Sequence, residues 1–163
     1  MIGQFTRRLF PLALLASTLV AGACGLQLST DVEAKDQWTR SYPISATGTL
    51  SITSGNGRVT VEAADIETIE ISAERIVRAG TEEAANEQLK LIDMKEEVRP
   101  DRVSLDSSLR GVTIGVSRRV NYSIKVPRAL AVTVESSNGE ITVTGLTGAL
   151  VASASNGRIT GTD

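Results

Sequence analysis

Three copies of one twelve-residue pattern constrain this chain more than any other feature of its sequence. They read LSITSGNGRVTV from Leu50, VTVESSNGEITV from Val132 and LVASASNGRITG from Leu150. In each copy, apolar residues lie six and four positions before an Asn-Gly pair, and a small residue lies two before it. A charged residue, then Val or Ile, then Thr follow the pair. The alternation predicts a half-buried strand on each side. The pairs Asn56-Gly57, Asn138-Gly139 and Asn156-Gly157 predict corners, with glycine expected to supply a positive φ.

Two architectures fit such corners. Asn-Gly between strands is the strongest short signal for a β-hairpin. The alternative is a coil of parallel rungs, each burying its inward face only against its neighbours. The eighteen-residue step from Asn138 to Asn156 favours rungs, because stacked coils must repeat in register and hairpins need not. Stacking sets Val132 on Leu150, Val134 on Ala152, Ile141 on Ile159 and Asn138 on Asn156. The asparagines then hydrogen-bond along a column. The expected fold is therefore all-β and solenoid-like, of the parallel β-helix type.

Alternation recurs elsewhere. Ile69, Ile71 and Ala73 alternate with Glu70, Ser72 and Glu74, and Val120, Tyr122, Ile124 and Val126 with Asn121, Ser123 and Lys125. Pro127 lacks a ladder donor and ends the second run. One segment has helical spacing instead. Thr81 is the expected N-cap, Glu82 and Glu83 suit a helix N-terminus, and Ala85, Leu89 and Ile92 share a face. A short helix is expected near residues 82–91, with a strand resuming over Ile92, Met94 and Val98 and turning into Val103–Leu105. Residues 107–118 read as a loop.

The N-terminus carries a different signal. Arg7 and Arg8 precede an apolar run from Leu9 to Val20 and then small residues, the order of an export signal over residues 1–23. The run is shorter than the ~20 residues of a membrane span, and a retained short anchor is the alternative. Cys24, the chain's single cysteine, stands where cleavage is expected. VAGAC resembles the lipobox of bacterial lipoproteins, which implies that Cys24 is acylated and ties the chain to a membrane. TRRLF resembles the twin-arginine motif, so the general and twin-arginine routes both stay open. Residues 24–37 are mostly polar and read as a tether, leaving 38–163 as the folded domain. The third copy falls just before Asp163 with no capping segment, which reads as a domain truncated at its C-terminus with further rungs downstream.

Taken in order, these segments resemble the bacterial envelope proteins that carry the putative-adhesin domain. The resemblance rests on YPISATGTLSITSGNGRVTVEA, the acidic helix TEEAANEQLKLIDMK, and VNYSIKVPRALAVTVESSNGEITV with its V-P-R junction. It covers nearly all of the expected mature chain. It implies an all-β, solenoid-like domain exposed at the cell surface or in the periplasm, without demonstrated chemistry.

Composition narrows the function classes. The chain has no histidine, which removes the commonest general base and neutral metal ligand. Net charge is −2, and loss of residues 1–23 leaves 15 basic against 19 acidic side chains, a charge of −4. Nothing there favours nucleic acid as a partner. Glu62, Asp65, Asp93, Asp101, Asp106 and Glu140 are scattered among turns and strand exteriors, so no acid pair nominates an enzyme and no acidic loop nominates a metal or other cofactor. Glu140 and Arg158 are expected to form a cross-rung ion pair, and Arg118-Arg119 to be a solvated strand end. Trp38 and Tyr42 are expected to cap the first rung, and are also the best clue to carbohydrate contact. Two functions remain. One is an envelope-anchored, non-enzymatic adhesion scaffold whose partner is a surface glycan or envelope protein. The other is a periplasmic partner or sensor in envelope-stress signalling. A polysaccharide-acting β-helix enzyme ranks behind both.

Overall fold

A computed structural model describes residues 31–45, 47–108 and 114–163. The expected export segment 1–23, the lipidation site Cys24 and the first part of the expected tether lie outside the described residues. The described residues form eleven strands and one helix in two mixed sheets. One sheet runs β1 (Val32–Pro43), β4 (Thr68–Ala79), β7 (Ser117–Pro127), β3 (Val59–Ala64), β9 (Ile141–Thr144) and β11 (Ile159–Thr162). The other runs β10 (Leu150–Asn156), β8 (Ala131–Asn138), β2 (Thr49–Asn56), β6 (Arg102–Ser107) and β5 (Lys95–Arg99). The helix α1 spans Glu82–Lys90.

Each copy of the pattern contributes one strand to each sheet, so its Asn-Gly corner joins the sheets and closes no hairpin. The copies pair in parallel, with Leu150 beside Val132 and Val132 beside Leu50. In the opposite sheet Ile159 lies beside Ile141, and Ile141 beside Val59. The first copy, far upstream in sequence, thus stacks directly on the second. On its far side Val103 pairs with Leu50 and Tyr122 with Val59, so β6 and β7 form a fourth layer. Inward positions follow the alternation: Leu50, Ile52, Val59 and Val61 are fully buried. Each such side chain contributes about 1.5–3 kcal/mol of apolar burial. Ser54, Ser107 and Ser136 fill one register position beneath the corners, where only a small buried residue fits.

The other end is closed differently. Residues Val32–Gln37, expected to be tether, are the first half of β1, which pairs antiparallel with β4 from Val32 to Pro43. Their polar look has a specific cause. Asp36 occupies a half-buried position and accepts from Arg75 Nε at 2.8 Å, while Arg75 Nη1 donates to the Ile92 carbonyl at 2.9 Å. One guanidinium thus joins β1, β4 and the segment after α1. The helix begins where expected, with the Thr81 hydroxyl accepting from Ala84 N at 3.2 Å and Ala85 and Leu89 buried. After it, the strand resumes only at Lys95, since Ile92 turns inward and is buried. At the opposite end β10 and β11 are edge strands, and Leu150 is 40% exposed where Leu50 is fully buried.

Candidate functional site

The six residues singled out as corners come together in one column. Asn138 Nδ2 donates to Asn56 Oδ1 at 2.9 Å, and Asn156 Nδ2 donates to Asn138 Oδ1 at 3.1 Å. Asn56 Nδ2 continues the chain to the Arg118 carbonyl at 3.3 Å. Backbone bonds run alongside, from Gly57 N to the Asn138 carbonyl and from Gly139 N to the Asn156 carbonyl, each at 3.0 Å.

The expected positive φ holds for one of the three corner glycines, and close approach governs all three. Gly57 alone of the three has a positive φ, at 126°. For Gly139 and Gly157 the demand is close approach. A Cβ on Gly139 would lie 1.8 Å from the Gly57 carbonyl oxygen, and one on Gly157 would lie 1.8 Å from that of Gly139. A Cβ on Gly57 would meet the Val120 carbonyl oxygen at 2.1 Å. Corners stacked one strand spacing apart leave no room for a side chain.

Beside the first two corners lies a concavity of about 490 Å³, lined by Asn56, Arg58, Arg118, Arg119, Asn121 and Glu140 among others. Arg58 immediately precedes β3, and Arg118 and Arg119 follow the first residue of β7. Pairing of β3 with β7 brings the two segments together, and Arg58 N donates to Asn121 Oδ1 at 3.1 Å. Arg118 and Arg119 lie at the start of β7, the strand end expected of them, and share this concavity with Arg58. Glu140 pairs with Arg58 of the preceding copy, Nε to Oε2 at 3.4 Å, in place of the expected Arg158. Both partners are substantially exposed, which holds the pair to at most about 1 kcal/mol.

A larger concavity, about 760 Å³, sits elsewhere, with Pro43, Ile44, Ile66, Val98 and Pro100 among its lining. Its charged lining side chains are Glu67 and Arg99, so it is chiefly an apolar furrow. Trp38 and Tyr42 do not flank the corner cleft. Trp38 packs partly buried against the core with the Arg40 guanidinium 4.7 Å from its ring centre. Buried Tyr42 donates its hydroxyl to Glu96, fastening β1 of one sheet to β5 of the other. Burial and then the Glu96 contact push the Tyr42 hydroxyl well above the ordinary phenol range. Tyr122, inside the core, is pushed up to about 12, chiefly by burial, with the nearby Ser107 hydroxyl lowering it and Asp106 raising it.

Of the acids considered for catalysis, Asp65 pairs with Arg128 at 2.8 Å and Glu140 with Arg58. Among the described residues no three Asp, Glu, His or Cys side chains gather as a metal site. No described helix is long and apolar enough to cross a membrane.

No protein-family model matches the chain. No curated protein matches it either. Solved structures that are similar include a putative cell adhesion protein from Clostridium sporogenes, at 13% identity and a TM-score of 0.36, covering 80% of this chain. The chain spans 58% of that protein's length. A putative adhesin from Bacteroides fragilis is similar at 9% identity and a TM-score of 0.34, with 78% of this chain and 98% of that one covered. Likeness this distant carries no argument about function.

Proposed function

We propose that this chain is a non-enzymatic binding module of the adhesion type, exported, lipidated at Cys24 and held at the bacterial envelope. It acts as a short solenoid-like scaffold that presents stacked rungs to a partner. The observation that carries this reading is the register of the three copies, with Asn56, Asn138 and Asn156 in one bonded column. That register also aligns Thr60, Thr142 and Thr160 on the outward face. An extended, polar, rigid surface suits contact with a large partner better than enclosure of a small substrate.

The test is a pull-down with the full chain on whole bacterial cells and extracted surface polysaccharide, against one on solubilised envelope proteins. Retention of cells or glycan supports the reading. Capture of an envelope protein with neither cells nor glycan retained overturns it in favour of a signalling partner. Mass spectrometry of the membrane fraction tests lipidation at Cys24.

A further inference from the structure

We infer that the basic corner beside the first two Asn-Gly turns is an anion site, built to take the carboxylate or sulfate groups of an acidic polysaccharide. This rests on the binding-module reading and names the class of ligand for it.

Charge comes first. Three guanidinium groups, from Arg58, Arg118 and Arg119, line the concavity, and its carboxylate, Glu140, is already engaged by Arg58. Among the described residues the lining is thus mostly basic, in a chain whose total is −2. A concavity with an excess of one sign raises the local concentration of oppositely charged groups. Guanidinium stays charged at every relevant pH and matches planar oxyanions through paired N–H donors.

Rigidity comes second. The arginine side chains reach outward, but the backbones bearing them are fixed to the column. Asn56 Nδ2 holds the Arg118 carbonyl, and Asn121 Oδ1 holds Arg58 N. Tyr122 N in turn donates to the Arg58 carbonyl at 2.8 Å. Segments some sixty residues apart thus carry the arginines on backbones held at a set spacing before any ligand arrives, which lowers the ordering cost of binding.

The neighbouring surface selects carbohydrate over a small free anion. On a strand, residues two apart share a face. Thr60 and Glu62 therefore share the outward side of β3, and Thr142 and Thr144 that of β9, just past Arg58 and Glu140. The third copy extends this row with Thr160 and Thr162, and Thr162 Oγ1 donates to Thr144 Oγ1 at 3.3 Å. A polymer anchored by one oxyanion in the corner meets a row of hydroxyls suited to its own. Among the described residues no aromatic side chain lines the cleft, so charge and hydroxyl bonding do the recognition.

The experiment measures binding of the full chain to polygalacturonate, heparin and dextran by biolayer interferometry at low and moderate salt. Binding to either polyanion, weakened at least tenfold or so by salt and absent for dextran, is expected. Polygalacturonate alone identifies carboxylate as the group, heparin alone sulfate, and both a general oxyanion site. Arg58→Ala/Arg119→Ala should weaken it about tenfold or more, while Lys90→Ala/Lys95→Ala, which removes as much charge elsewhere, should not. The single exposed change Arg119→Glu gives the same readout if the double variant melts early. Failure to bind either polyanion, or binding that survives loss of the arginines in a folded protein, overturns the site. Retention of cells without polyanion binding removes the site and keeps the module reading; polyanion binding without retention of cells does the reverse.

Discussion

Asn138 donates its side-chain amide to Asn56 at 2.9 Å, across 82 residues of sequence. The same side chain accepts from Asn156, so Asn138 is the middle member of the column. Asn138→Ala removes both bonds at an exposed corner and should cost about 1–2 kcal/mol in denaturant unfolding. A double-mutant cycle with Asn56→Ala should show positive coupling, whereas independent effects would mean that the column is a spectator.

The glycine corners are far less forgiving. Gly139→Ala places a methyl 1.8 Å from a backbone oxygen that cannot swing away. It should destabilise by about 3 kcal/mol or fold poorly, at or beyond the usual overpacking range. Gly161 has no atom within 4 Å of its would-be Cβ, and Gly161→Ala should stay within about 0.5 kcal/mol of the parent. Thermal melts of the two variants compare them directly.

Leu50 and Leu150 occupy the same pattern position with opposite surroundings. Leu50 is fully buried between Val103 and Val132, and Leu150 is 40% exposed on an edge strand. Leu50→Ala should cost about 2–5 kcal/mol, and Leu150→Ala no more than about 1 kcal/mol. Equal losses would contradict the edge position of β10.

The alkaline limit of stability follows from the two tyrosines. Both have their hydroxyls pushed above the ordinary value of 10.0, Tyr122 to about 12. Above pH 10 the unfolded chain releases tyrosine protons that the native chain retains, so stability falls from about pH 10 toward pH 12. Urea midpoints should fall across that window, and Tyr42→Phe/Tyr122→Phe should flatten the decline. An ultraviolet titration of the native chain should show little phenolate at pH 10.

The period-two alternation and the repeat step were enough to read which residues face inward, where the corners lie and that Val132 sits on Leu150. Leu50 as the next neighbour of Val132 was not legible, because pairing between distant strands leaves no mark in spacing. β1 was hidden by Asp36 on a half-buried position, since its partner Arg75 lies 39 positions away. Convergence of Arg58 with Arg118 and Arg119 likewise depends on which strand β3 pairs with. Backbone freedom, a local property, accounts for Gly57, whereas Gly139 and Gly157 answer to contact between successive layers, which leaves no local mark.

The position of the first copy also dictates when it can fold. All of its ladder partners lie downstream, the nearest being Val103 beside Leu50. Closing that 53-residue separation costs about 1 kcal/mol more chain entropy than closing the 18 residues between Val132 and Leu150. A chain delivered N-terminus first therefore keeps Leu50, Ile52, Val59 and Val61 without native strand neighbours until its second half arrives. Among the copies, the second and third are the cheaper pair to close, and the first takes its place between strands made after it.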